Sequence, residues 1–279
     1  MKALIPAAGY GTRFLPASKT IPKEMLPVGA KPAIQLIVEE ALAAGADEVV
    51  IVTSPDKPSL RRHFDVDAVW HARCAKKPEV DAELTHLEEI GRRLEWVFQL
   101  EQKGLGHAVL QAADLLRGET EPVLVLLGDA LVSGEAPSQA MAAISRACGG
   151  ASVVGLEEVL LEKVSRYGIV AGEPVDTLGA PAEAVEPARV LRLSDLVEKP
   201  QPEVAPSRLA IAGRYLLDPS IFELLASQTP GHGGEIQLTD SIRRLLGAKA
   251  VYGYRYPGRR HDIGNPAGYF ETLQAFANQ

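Results

Sequence analysis

The chain has 279 residues and a formal net charge of −7, from 29 basic and 36 acidic side chains. That length buries a sizeable core and suits one large α/β domain or a domain with an appended lobe, and 46% hydrophobic with 23% charged residues is ordinary for a globular protein. The acidic balance argues against a nucleic-acid partner, which wants a cationic face. No apolar run approaches the ~20 residues of a membrane span, and Cys74 and Cys148 show no metal-ligand spacing and imply no disulfide framework. The apolar stretch Ala3–Ala8 is too short for a signal peptide and contains Pro6, so a cytoplasmic protein is expected.

The run from Ala3 to Ile5 predicts a strand that ends in small residues and then in Gly9 and Gly11, flanking Tyr10. Such a transition lets backbone N–H groups approach an anion closely, since glycine adds no Cβ. Arg13, Lys19 and Lys23 follow, and Pro16, Pro22 and Pro27 predict that this basic segment runs largely extended around a polyphosphate. Phe14 stands where a dinucleotide-binding loop needs its third glycine, and no Gly-Lys-Ser/Thr completes a P-loop.

Ile34, Ile37, Val38, Ala41 and Leu42 recur at helical spacing between Pro32 and Ala44, with Gly45 as the stop. Residues 48–53 predict a buried strand and 57–64 a short helix; 65–93 read as polar and irregular, with a helix from Asp81 to Arg93. Trp96–Leu100 predicts a strand, followed by a loop at 103–106 and a helix over 108–116. The aliphatic run 122–127 suits a central parallel strand covered on both faces, and Gly128-Asp129 ends it. A helix over 138–148 and a strand over 151–156 complete an alternation that predicts an α/β fold: a Rossmann-like mixed, mostly parallel sheet flanked by helices.

Beyond residue 157 the pattern loosens, with strands at 167–171, 190–197 and 209–217 and an exposed Pro-, Ala- and Glu-rich loop at 172–187. Helices at 220–226 and 236–246, a strand at 250–256 and a helix at 266–277, with Asn265 as N-cap, close the chain. We expect a single domain with a first half over about 1–156, a second over about 157–264 and a C-terminal helix over 265–279.

An N-terminal signature and five further motifs, in order, carry a family resemblance. Gly9 to Pro16 and Lys19 to Val28 resemble the signature of the sugar-1-phosphate nucleotidylyltransferases, and within them the uridylyltransferase branch. The likeness continues through Lys103–Val109, Val197–Pro200, Leu209–Tyr215, Glu235–Asp240 and His261–Asn265, nearly end to end. It implies the nucleotide-diphospho-sugar transferase fold, with UTP and glucose 1-phosphate as substrates, Mg²⁺ as cofactor, and a homo-dimer or homo-tetramer. Leu127-Gly128-Asp129 departs from the Leu-Pro-Asp common in that branch and matches the thymidylyltransferases, which keeps dTTP and a broader sugar range as alternatives. A non-catalytic paralogue is disfavoured by the intact Arg13, Lys23, Asp129 and Asp262.

Asp129, just past a buried strand, sits where open α/β sheets place ligands; on local sequence it is equally a turn aspartate. The resemblance makes it a metal ligand, with Asp262 as the second, and makes Arg13 and Lys23 catalytic alongside it. Taken alone, Asp262 reads as support for the next helix, and His261 beside it as structural, because hard oxygen donors suit Mg²⁺. The resemblance implies nucleotide contacts from Ala8, Gly9, Gly11, Thr12, Glu24, Gln99 and Gly104, with Gln99 and Gly104 at the pyrimidine. Helix-start or ion-pair duty is the rival role for Glu24. The same likeness assigns Glu198 to sugar hydroxyls and Lys199 to the sugar phosphate, with Tyr167, Gly168 and Gly213 lining that pocket; locally, Glu198 and Lys199 are only a solvated pair.

Overall fold

The computed structural model describes residues 1–277, so the last two positions of the expected C-terminal segment lie outside the described residues. In chain order the strands are β1 (Lys2–Pro6), the two-residue β2 (Pro27–Val28) and β3 (Lys31–Pro32), β4 (Glu48–Thr53), β5 (Leu94–Phe98), β6 (Val123–Leu126) and β7 (Ala130–Ser133). They continue with β8 (Ser152–Glu158), β9 (Gly168–Pro174), β10 (Val190–Glu198), β11 (Leu209–Leu217), β12 (Val251–Arg255) and β13 (Arg259–Asp262). The helices are α1 (Ala33–Ala43), α2 (Pro58–Phe64), α3 (Ala68–Cys74), α4 (Pro78–Gly91), α5 (Leu105–Leu110), α6 (Ser138–Ala147), α7 (Ile221–Ala226), α8 (Leu238–Leu246) and α9 (Pro266–Phe276).

Nine strands form one sheet in the order β5-β4-β1-β6-β11-β8-β12-β10-β9. β5, β4, β1 and β6 are mutually parallel, as are β8 and β12, and the other neighbours are antiparallel. Successive residues of a strand face opposite sides. Thus Ala3, Ile5, Leu124 and Leu126 enter the core on the α1 and α6 side, while Leu4, Val123 and Val125 enter the one under α5, α7 and α8. Burial on both faces is why 122–127 carries no polar residue. No helix among the described residues is long and apolar enough to cross a membrane.

Four parallel strands deliver their C-terminal loops to one edge: residues 7–13 after β1, 54–57 after β4, 99–104 after β5 and 128–129 after β6. β7 then leaves the large sheet and pairs antiparallel with β13, setting Asp262 opposite Ala130.

Several expectations are corrected. The basic segment is not extended: it folds into 3-10 turns at Thr12–Phe14, Ala17–Lys19 and Lys23–Met25. Proline restricts its own φ and the residue before it, yet the carbonyls of Gly11, Pro16 and Pro22 still accept from N–H groups three residues on. Region 65–93 is more ordered than its polarity suggests. Asp67 caps α3 by accepting from Val69 and Trp70, and α4 starts at Pro78 rather than Asp81. The helix expected over 108–116 starts at Leu105 and ends at Leu110, and β9 carries pairing to Pro174, inside the expected loop.

Candidate active site

Two adjoining cavities open at this sheet edge. One, of about 320 Å³, is walled by Ala8, Gly9, Gln99, Gln102 and Gly104. The other, of about 550 Å³, is walled by Arg13, Tyr167, Gly168, Glu198, Lys199 and Gly213, with Asp262 and Arg260. Lys23 and Asp129 line both, so they stand at the junction.

The Lys23 Nζ donates to the Asp129 Oδ2 at 2.5 Å. Burial alone would push the Asp129 carboxyl up, but Lys23 outweighs it and holds the group below its ordinary value. For Lys23, burial pulls the ammonium down while Asp129, Glu24 and Asp262 raise it, and the net is an upward shift. Both side chains are therefore charged near neutrality.

Asp262 reaches Asp129 through the β7–β13 ribbon, and the Ile263 N–H donates to the Asp129 carbonyl at 2.9 Å. Gly264 measures the closeness: a Cβ there would stand 2.8 Å from the Asp262 Oδ1, 3.3 Å from the Asp129 Oδ2 and 3.8 Å from an Arg13 guanidinium nitrogen. His261 turns to the opposite face, is 4% exposed and bonds the Ser133 hydroxyl at 2.7 Å, which fits the structural role. Among the described residues no three or more His, Cys, Asp or Glu side chains gather around a metal position. Two hard carboxylates completed by phosphate oxygens and water are the donor set Mg²⁺ takes, so Asp129 and Asp262 fit that ion.

Glu24, Gly11 and Thr12 line neither cavity. Glu24 is 0% exposed and accepts from the Lys57 Nζ at 2.9 and 3.0 Å. The same ammonium donates to the carbonyls of Ala7, at 2.7 Å, and Gly9, at 2.6 Å. Burial pushes the Glu24 carboxyl up and the Lys57 ammonium down, and each partner partly restores the other. The ion-pair role left open for Glu24 is thus the one its surroundings match: with Lys57 it pins the glycine loop from behind. Gly11 adopts a left-handed φ of 65° and opens the Thr12–Phe14 turn that carries Arg13.

Gly104 serves a packing need besides any room for a base. Its φ is +100°, and a Cβ would stand 2.8 Å from both the Glu235 Cβ and the Ile236 carbonyl oxygen. Lys199 holds a φ of 46°, the one non-glycine residue with positive φ among those described. A left-handed lysine costs about 1–2 kcal/mol, a strain typical of binding sites. Its ammonium stands 3.2 Å from Glu198.

Sequence reasoning missed Arg260. It lies on β13 two residues from Asp262, hence on the same face of the ribbon, and strand alternation was the available signal. Its Nε donates to Glu157 at 2.6 Å, and its guanidinium lies 4.8 Å from the Tyr167 ring centroid, bracing that side chain against the larger cavity.

The nucleotidyl transferase family model matches residues 2–279. UTP–glucose-1-phosphate uridylyltransferase 2 of Staphylococcus saprophyticus is 43% identical over 99% of this chain and 91% of its own length. The UTP–glucose-1-phosphate uridylyltransferase of Bacillus subtilis is 40% identical over 100% and 91%. A solved UDP-glucose pyrophosphorylase, crystallised with UDP-glucose, superposes with a TM-score of 0.84 at 40% identity, covering 99% of this chain and 98% of that one. The matched region takes in both cavities and the Lys23–Asp129 junction, and over that whole length the chain belongs to the nucleotidyl transferase family.

Proposed function

We propose that this protein transfers the uridylyl group of UTP to α-D-glucose 1-phosphate, giving UDP-glucose and pyrophosphate. The observation that carries this is the Lys23–Asp129 pair at the junction of two cavities, each sized for one half of such a product. The relatives named for this reaction supply the substrates. The nucleotide falls to the half over about 1–156, with the main chain of Ala8 and Gly9 at the nucleoside and Gln99 and Gly104 at the base. The sugar phosphate falls to the half over about 157–264, with Glu198 at its hydroxyls, Lys199 at its phosphate, and Tyr167, Gly168 and Gly213 as walls.

An oxygen of the sugar phosphate attacks the α-phosphorus of UTP in line, a P–O bond forms, and the bond to pyrophosphate breaks. The second pKa of the attacking phosphate lies near ~6, so it is mostly dianionic at neutrality and needs no general base. The obstacle is repulsion: unit charges 4 Å apart repel by ~4 kcal/mol at an effective dielectric of 20. Mg²⁺ held by Asp129 and Asp262 would supply charge neutralisation when bound. Lys23 meets the α-phosphate as negative charge builds, and the rigid Arg13 fork meets the departing pyrophosphate. Loop positioning by Glu24 and Lys57 replaces the nucleotide contact first expected of Glu24.

Packing offers a reason for the glycine at 128 that is independent of the nucleotide. A Cβ there would stand 2.9 Å from the Pro6 carbonyl oxygen and 3.3 Å from the Ala7 Cβ, so close approach to the first strand accounts for the glycine.

Purified protein with Mg²⁺, glucose 1-phosphate and UTP should release pyrophosphate faster than with dTTP, CTP, ATP or GTP. No release from any nucleotide, or a clear preference for dTTP, would overturn the assignment. Lys23→Ala should lower kcat by about 10²–10³-fold, the usual effect of removing one preorganised donor, and weaken UTP binding far less. An equal loss in both would count against its transition-state role.

A further inference from the structure

Gln99 is 2% exposed and lines the smaller cavity. Its main-chain N–H donates to the Thr53 carbonyl at 2.8 Å, which fixes the residue at the end of the parallel sheet. Its side-chain nitrogen faces the Gly104 carbonyl oxygen at 3.4 Å and the His107 Nδ1 at 2.9 Å. A carbonyl only accepts, so the amide nitrogen belongs on that side and the Oε1 is turned away from it. Among the described residues that oxygen has no protein partner.

An imidazole that accepts at Nδ1 is neutral and carries its proton on Nε2; the Gln111 amide nitrogen 3.2 Å from Nε2 is itself a donor, and it donates to the His107 carbonyl oxygen at 3.2 Å. Burial, and then the charge of Lys103, hold His107 below its ordinary pKa, consistent with a neutral ring near neutrality. His107 lies on α5 one turn from Gly104, and the Gly106 N–H donating to the Ile236 carbonyl at 2.8 Å ties that turn to the neighbouring loop. The ring therefore has a fixed seat behind Gln99 and does not line the cavity itself.

We propose that His107 is a positioning residue for nucleobase selection: by accepting from the Gln99 amide nitrogen it keeps the Gln99 carbonyl oxygen facing the base. A pyrimidine with an N–H at ring position 3, as in uracil or thymine, donates to that oxygen. Cytosine presents a lone pair at the same position and meets it acceptor to acceptor. A buried polar group left unpaired costs enough to discriminate between bases, whereas a freely rotating Gln99 could offer its nitrogen to cytosine instead. The idea rests on the proposed placement of the nucleotide in the smaller cavity, and it adds the device that orients the base reader.

The test is equilibrium binding of UTP, dTTP and CTP to the full chain by calorimetry, without sugar phosphate. The wild type should prefer UTP and dTTP over CTP. His107→Leu should shrink the UTP-over-CTP ratio about tenfold while leaving UTP over dTTP unchanged. His107→Asn, whose side-chain oxygen can accept where Nδ1 did, should restore the ratio. His107→Ser gives a second reading of the loss should leucine unfold the chain, and Gln99→Leu should abolish the preference. A merely structural histidine would weaken all three nucleotides alike. An unchanged UTP-over-CTP ratio in both His107→Leu and His107→Ser, beside a collapsed one in Gln99→Leu, would overturn the proposal; so would a wild type that binds UTP and CTP equally. Turnover is not used, so absent pyrophosphate release would strike the proposed reaction and leave this comparison intact.

Discussion

Asp129→Asn is expected to lower turnover on the order of 10³-fold, roughly 4 kcal/mol of transition-state stabilisation, while the protein stays folded. The side chain lines both cavities, as Glu235 also does, and it bonds Lys23 at 2.5 Å. Asparagine keeps the shape and one acceptor oxygen but removes the negative charge. A divalent ion bound there would lose one of its two hard anionic donors, and Lys23 loses its carboxylate partner. The main-chain bond from the Ile263 N–H to the residue-129 carbonyl does not involve the side chain, so the β7–β13 ribbon stays in register. The measurement is pyrophosphate release across a Mg²⁺ titration, with circular dichroism as the control for folding. Recovery of near-normal rates at high Mg²⁺ would refute Asp129 as an essential ligand, whereas a low plateau at saturating metal is the outcome expected.

Much of the framework behind that residue was legible in the sequence, because parallel strands buried on both faces announce themselves as aliphatic runs. Residues 3–5, 48–53 and 122–127 read correctly for that reason, and the glycines and aspartate that end them fall at the sheet edge where ligands sit. Long-range pairing was not legible. Nothing local in Arg259–Asp262 says that it will lie against Ala130–Ser133, more than a hundred residues earlier, and it is this pairing that brings the two aspartates together. Buried ion pairs are hidden for the same reason. Lys57 finds Glu24 across 33 residues and Arg214 finds Glu40 across 174, and a lone charge in sequence does not name its partner. The 3-10 turns of the basic segment were missed because proline chemistry fixes φ but leaves ψ free to close a turn.

Arg214→Met is expected to destabilise the protein by about 3–5 kcal/mol at neutral pH, the cost of breaking a buried pair on one side. The Arg214 side chain is 0% exposed, and that of Glu40 is 11% exposed. From β11 the guanidinium donates to both Glu40 oxygens on α1, at 2.9 and 2.7 Å, to the Ala130 carbonyl at 2.9 Å and to the Gly213 carbonyl at 3.1 Å. It thus ties the two halves of the sheet together beneath Asp129. Methionine fills much of the space but leaves Glu40 charged and nearly dry, with only the Ser138 hydroxyl as a donor. The pH dependence carries the signature. In the wild type, burial pushes the Glu40 carboxyl up and Arg214 more than reverses it, so its pKa lies below the ordinary 4.5. The pair's contribution is therefore complete above that value and is lost as pH falls through the lowered pKa. In Arg214→Met the burial penalty, the largest influence on Glu40, is opposed only by the Ser138 hydroxyl; the Glu40 pKa is expected to rise above 4.5, and the variant to lose stability as pH climbs through the raised pKa. The gap between the two proteins should therefore widen from about pH 4 towards neutrality in urea denaturation. Adding Glu40→Gln to Arg214→Met should recover part of the loss, because it removes the stranded charge. A deficit below about 1 kcal/mol, or one flat with pH, would mean that Glu40 reaches solvent and that the halves are held by apolar packing alone.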